Sequence, residues 1–170
     1  MDMKIKARTR GFALVEVVVA SALISVFLFA ASNASVTALR VVDESANKSR
    51  AVLLAEEALE AVRTLRDGSW SGEIANKTIG STYYLMVNGG ILRLNSANPG
   101  PVDGLFTRTV KFASVYRRTS DDDIVDVSSS DPKAIDPDTR QVTTVISWRS
   151  SSGVSRSVTF STYITNIFKN

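Results

Sequence analysis

Arg10-Gly11-Phe12-Ala13-Leu14-Val15-Glu16-Val17 is the stretch on which the architecture turns. A short basic leader ends at Gly11, and Phe12 opens an apolar run that continues to Ala31. That run has the length of roughly 20 residues needed to cross a hydrocarbon core of about 30 Å. One carboxylate, Glu16, interrupts it near its start. An ionisable side chain at the centre of a spanning helix costs roughly 2.5–3.5 kcal/mol on insertion scales, and less toward the interface. A residue kept at such a cost is a functional candidate, and its partner has to be sought.

The flanks of the run set its orientation. Lys4, Lys6, Arg8 and Arg10 precede it, and only Arg40 lies close behind it. The excess of cations before the span predicts a cytoplasmic N-terminus and an exported C-terminal part. A carboxylate in lipid is far less costly beside a cation, and the helix dipole favours an acid at this end.

Gly11-Phe12-x-Leu14-Val15-Glu16 resembles the N-terminal processing motif of type IV pilins and of the pseudopilins of related filaments. Ala13 departs from the Ser or Thr common at that position of the family. The resemblance implies peptidase cleavage between Gly11 and Phe12, N-methylation of Phe12, and a role for Glu16 in subunit assembly. It implies as partners other pilin or pseudopilin subunits, a prepilin peptidase/methyltransferase, an inner-membrane assembly platform and the lipid of the cytoplasmic membrane. It also implies a final location in a periplasmic or extracellular filament. Val17-Val18-Val19 followed by Ala and Ser is similar to minor pilins and pseudopilins rather than to major subunits.

Composition narrows the rest. The formal charge of +3 belongs to the leader: without Lys4, Lys6, Arg8 and Arg10 the 20 basic residues become 16, and without Asp2 the 17 acidic ones become 16. The mature chain is neutral, so its charge balance gives no argument for nucleic acid. Arg117-Arg118 beside Tyr116 and Phe112 has the residue types of a single-strand DNA contact, but an Asp run follows at once and a charge pair balancing it is the expected role. The chain has no cysteine and no histidine. Disulfides and thiolate metal sites are thereby excluded, and the commonest general base is missing. No G-x-S-x-G elbow or phosphate loop appears, and an enzyme is not expected.

Helical periodicity extends beyond the apolar run. Val52, Ala55, Leu59 and Val62 fall on one face, with Glu56, Glu57, Glu60 and Arg63 on others. One helix is expected from about residue 12 to 66, stopped by Asp67-Gly68. Ser32-Asn33-Ala34-Ser35 is its weakest stretch, since Ser and Asn compete for backbone hydrogen bonds. From Gly72 the pattern turns to strands. Thr82–Val87 and Ile91–Leu94 flank the hairpin signal Asn88-Gly89-Gly90, and Ser96–Gly104 reads as a loop. Phe106–Tyr116, Gln141–Arg149 and Val154–Ile164 alternate as strands, the last two joined by a turn at Ser150–Gly153. Trp70 is expected at the helix–sheet junction and Trp148 in the core.

The acidic segment Ser120–Asp138 holds Asp121, Asp122, Asp123 and Asp126 among its carboxylates. Hard oxygen ligands in a loop suit calcium, but EF-hand spacing is absent and Asp131-Pro132 and Asp136-Pro137 favour turns. A solvated loop without a metal or other cofactor is the expectation. The whole reads as an α+β, pilin-like fold: a long N-terminal helix on an antiparallel sheet of about five strands. Its parts are a cleaved leader (1–11), a transmembrane half-helix (12–35), an amphipathic half-helix (36–66) and a β-rich domain (67–170). The function this implies is a structural subunit of a type IV pilus or of a type II secretion or competence filament. The rival reading is a secreted or anchored β-rich binding domain, in which small residues at Ser32 and Ala34 allow ordinary signal peptidase cleavage before Ser35.

Overall fold

A computed structural model describes residues 10–169, with side chains from Leu14 onward. The leader expectation falls mostly on residues 1–9, outside the described residues. The chain divides into two compact units at Ser45/Ala46. The first unit is helical throughout its described residues. The second carries the rest of the helix and the sheet.

Helix α1 runs Arg10–Gly68, without a break at Ser32–Ser35. The competing polar groups there are absorbed by the helix itself. Ser35 Oγ donates to Ala31 O at 3.0 Å and Thr37 Oγ1 to Asn33 O at 2.9 Å. At its C-terminus Arg66 sits in the last turn, where a cation meets the negative end of the dipole. Ser69 then caps a single π-helical turn, Trp70–Ala75, its Oγ accepting from Gly72 N–H at 3.1 Å. The expectation of strands and turns from Gly72 onward is corrected here. Buried Trp70 and Ile74 hold this turn against the core, outweighing the helix-breaking tendency of Gly72.

Six strands follow among the described residues, the expected five or so and the short β4: β1 Thr82–Asn88, β2 Ile91–Asn95, β3 Thr107–Arg118, β4 Ile124–Val125, β5 Lys133–Arg149 and β6 Ser155–Thr165. They pair antiparallel in the order β2-β1-β3-β5-β6, with β4 beside the far end of β3. The β1–β2 turn is Gly89-Gly90, with φ of +59° and +79°. Two consecutive left-handed residues make the mirror-image turn whose twist suits a hairpin, and glycine enters it without steric cost.

The acidic segment is less of a loop than expected. Lys133–Asp138 belongs to β5, and Ile124–Val125 forms β4. The register explains how Pro137 is tolerated. Ser114 pairs with Arg140 and Val115 with Asp136, so residues 137–139 bulge out of the β3 ladder. Proline has no N–H to give that ladder, and a bulge asks for none.

The core lies between one face of the sheet and one stripe of α1. Ala51, Leu54, Ala55, Ala58, Val62 and Leu65 are the buried helix residues. This shifts the expected stripe: Val52 and Leu59 are only half-buried. Alanines at 51, 55 and 58 let the helix backbone approach closely. Val62 and Leu65 meet Val110, Phe112, Val142 and Ile164, and Ala51 and Leu54 meet Phe106, Ile146 and Trp148. Val142, Thr144, Ile146 and Trp148 point inward together, as the period-2 pattern requires.

Candidate assembly site

The N-terminal part of α1 exposes an unbroken apolar surface. Leu14, Val17, Leu23, Val26, Phe27 and Phe29 are each more than half exposed. It is the one helix among the described residues long and apolar enough to cross a membrane. Two of the three polar side chains within residues 14–31 are already satisfied. Ser21 Oγ donates to Val18 O at 2.9 Å, and Ser25 Oγ to Ser21 O at 2.8 Å. Glu16 is the third, and it has no hydrogen-bond or ion-pair partner among the described residues. It stands exposed on the first turns of the helix. The chemistry it offers is a carboxylate in an apolar surface, competent to take a cation supplied from elsewhere. Gly11 and Phe12 lie in the backbone of the same helix, the Phe12 side chain outside the described residues.

The second cluster singled out by sequence is built differently. β3 ends in Arg117 and Arg118, and the following acidic segment folds back on them. Arg118 pairs with Asp121 at 2.6 Å, with Asp131 at 3.0 Å and with Asp123 at 3.8 Å. Arg117 pairs with Asp136 at 2.6 Å. Lys133 Nζ reaches back to Val127 O at 2.6 Å. Asp126 accepts from the Ser128 hydroxyl at 2.6 Å, and that bond with the Ser128 N–H holds its carboxyl below the usual range. The Arg118 hydrogen bond does the same for Asp121. At Asp136 burial pushes upward, but Arg117, Thr139 and the Asp138 N–H together outweigh it and leave the carboxyl lowered. The Asp122 carboxylate takes no part in these pairs; at φ 59° its backbone accepts from Arg117 Nη1 at 2.8 Å and donates its N–H to Arg118 O at 3.0 Å.

These contacts make the acidic segment an electrostatic clamp between β3, β4 and β5. Among the described residues no three acidic side chains come together as metal ligands would. The same pairs occupy both arginines that sequence had raised as a DNA contact. The β4 strand that the clamp positions has no signal of its own in the sequence. Two residues of Ile-Val between aspartates carry too little periodicity to be read as a strand.

Against known proteins, the family model described as the prokaryotic N-terminal methylation motif matches residues 6–32. No curated protein and no solved structure gives a significant match. The match spans the leader, Gly11-Phe12, Glu16 and the apolar run. A long N-terminal helix carrying this motif, followed by an antiparallel sheet, defines a type IV pilin-like protein of the kind processed by prepilin peptidase.

Proposed function

We propose that the protein is a minor pilin or pseudopilin, a structural subunit of a type IV pilus or related secretion or competence filament. In this reading the precursor sits in the cytoplasmic membrane with its sheet domain outside the cytoplasm. Prepilin peptidase cuts between Gly11 and Phe12, and the new N-terminus is methylated. An inner-membrane platform then moves the subunit into a filament, where the apolar helix packs among helices of like subunits. Leaving lipid for a helix bundle brings little hydrophobic gain, so packing and polar pairs set register. Glu16 supplies the polar pair by meeting the Phe12 amine of a neighbouring subunit. No cofactor and no catalytic step enter this function. The observation that carries it is the coincidence of the matched motif at residues 6–32 with the lone carboxylate of the exposed apolar helix.

The deciding experiment is mass spectrometry of the N-terminal peptide from membranes of the native host. A chain beginning at N-methylated Phe12 is the expected result. A chain beginning at Ser35, or retaining Met1, replaces the filament subunit with a secreted or anchored β-rich domain.

A further inference from the structure

Only one asparagine of the chain is followed by glycine: Asn88, in Asn88-Gly89-Gly90. It is the last residue of β1 and pairs with Ile91, closing the two-glycine turn. It is exposed, and its carboxamide has no hydrogen-bond partner among the described residues. The Gly89 N–H lies in the turn and donates to no backbone oxygen among the described residues. Glycine adds no side chain to shield that nitrogen, and nothing stands within 4 Å of where a Cβ would be at Gly89 or Gly90. A carboxamide carbon and a bare amide nitrogen, adjacent in the chain and both open to water, are the two ends of a cyclic imide.

The other described asparagines each lack one of these conditions. Asn33 and Asn47 lie inside α1, where the following N–H is held in the helix ladder. Asn76 Nδ2 donates to Gly72 O, and Asn166 Nδ2 to the Asp138 carboxylate. Asn95 Oδ1 accepts from Ala97 N–H at 3.0 Å and Asn98 Oδ1 from Gly100 N–H at 2.9 Å, and Pro99 after Asn98 has no N–H at all.

Ring closure needs rotation about the Asn88 Cα–C bond, which the pair with Ile91 resists, so the turn has to open. The hairpin is built to allow it. β1 meets β3 only at Thr82 and Tyr83, and beyond them β1 and β2 form a two-stranded ribbon. Leu85 and Leu94 bury its base, whereas Val87 and Ile91 beside the turn are 70% and 56% exposed. A ribbon of two strands is marginal by itself, and such ends open locally while the domain stays folded.

We propose that Asn88 is a site of spontaneous modification, with the chain itself and water as the only reactants. The Gly89 nitrogen gives up its proton and bonds to Asn88 Cγ. The Cγ–Nδ2 bond breaks, and Nδ2 leaves as ammonia with that proton. Water then adds to one of the two imide carbonyls. Addition at Cγ breaks its bond to the Gly89 nitrogen and leaves aspartate in an unaltered backbone. Addition at the main-chain carbonyl breaks the original peptide bond and leaves isoaspartate, its backbone routed through Cβ and Cγ. The first product places a negative charge at the hairpin tip. The second lengthens the backbone at the Asn88–Ile91 pair and ends the register there. The proposal stands on the hairpin alone and does not depend on the filament reading.

The test incubates the full chain in neutral detergent micelles and follows each asparagine by peptide mass spectrometry, with electron-transfer fragmentation to tell isoaspartate from aspartate. Asn88 is expected to convert at least about tenfold faster than every other described asparagine, since theirs must first give up a hydrogen bond or wait for a helix to open. Isoaspartate should be among the products, and the rate should rise with pH because the attacking nitrogen reacts after losing its proton. The folded chain should be slower than the urea-unfolded chain by no more than about a thousandfold, since waiting for the whole domain to unfold would slow it further. Asn88→Gln, whose longer side chain closes a larger ring, should show no conversion at this position over the same period. Earlier conversion of another described asparagine, aspartate without isoaspartate, a rate indifferent to pH, a slower folded rate than that bound, or undiminished loss of ammonia from Asn88→Gln each overturns the proposal.

Discussion

At the scale of single residues, two side chains carry opposite kinds of information. Glu16 is an acid on an apolar surface that favours none, with no partner among the described residues. Phe112 is the reverse: fully buried, touching Tyr83 edge-on at 5.9 Å between ring centres, and useful only to the fold. Glu16→Ala is expected to insert in the membrane as the native chain does but to be missing from sheared filament fractions, as read by immunoblot. Normal incorporation of that variant would end the assembly role. Phe112→Ala should cost about 3–5 kcal/mol, the range for emptying a buried aromatic site. Urea unfolding of the chain in micelles, followed by Trp fluorescence, measures that loss.

At the scale of elements, helix α1 is readable from the sequence in its extent and only partly in its facing. The periodic pattern located a stripe at Val52, Ala55, Leu59 and Val62, whereas the sheet takes Ala51, Leu54, Ala55, Ala58, Val62 and Leu65. Alanine is weak in any hydrophobic count, yet here it is what permits close contact with Phe106 and Ile146. Ala58→Leu should accordingly overpack the interface and lower stability by about 1–3 kcal/mol, measured by the same unfolding assay. The β1–β2 hairpin shows the opposite case, since Asn88-Gly89-Gly90 announced its turn through backbone chemistry alone. Gly90→Val places a β-branched residue at φ +79° and should cost about 1–2 kcal/mol. A smaller loss in the unfolding assay than that from Gly90→Asn would contradict this account.

At the scale of the whole sheet domain, the clamp of Arg117 and Arg118 on the acidic segment ties β3, β4 and β5 together. Its pH dependence has a definite sign. Asp121, Asp126 and Asp136 have carboxyls lowered from 3.8 in the folded protein, so the unfolded chain binds protons first as pH falls. Their contribution is present above about pH 4 and is lost as pH drops through the folded values. The unfolding midpoint should therefore be flat from neutral pH to about 5 and fall below about 4. Asp136→Asn, which leaves Arg117 without its carboxylate partner, should lower stability at neutral pH and flatten the acid slope. An unchanged slope in that variant would assign acid sensitivity to other carboxylates.

The sequence alone determined the features that depend on neighbours along the chain. The apolar run with its embedded acid, the Gly-Gly hairpin and the inward row of Val142, Thr144, Ile146 and Trp148 all follow from local conformation, solvation and side-chain period. The tertiary structure alone decided what depends on residues far apart. Burial of Trp70 and Ile74 made a helical turn where Gly72 suggested none, and pairing with β3 drew Lys133–Asp136 out of a loop into β5. The arginines of β3 drew the acidic segment into an internal clamp. Each of these is a matter of which partner a group meets in space, and periodicity along the chain holds no record of that.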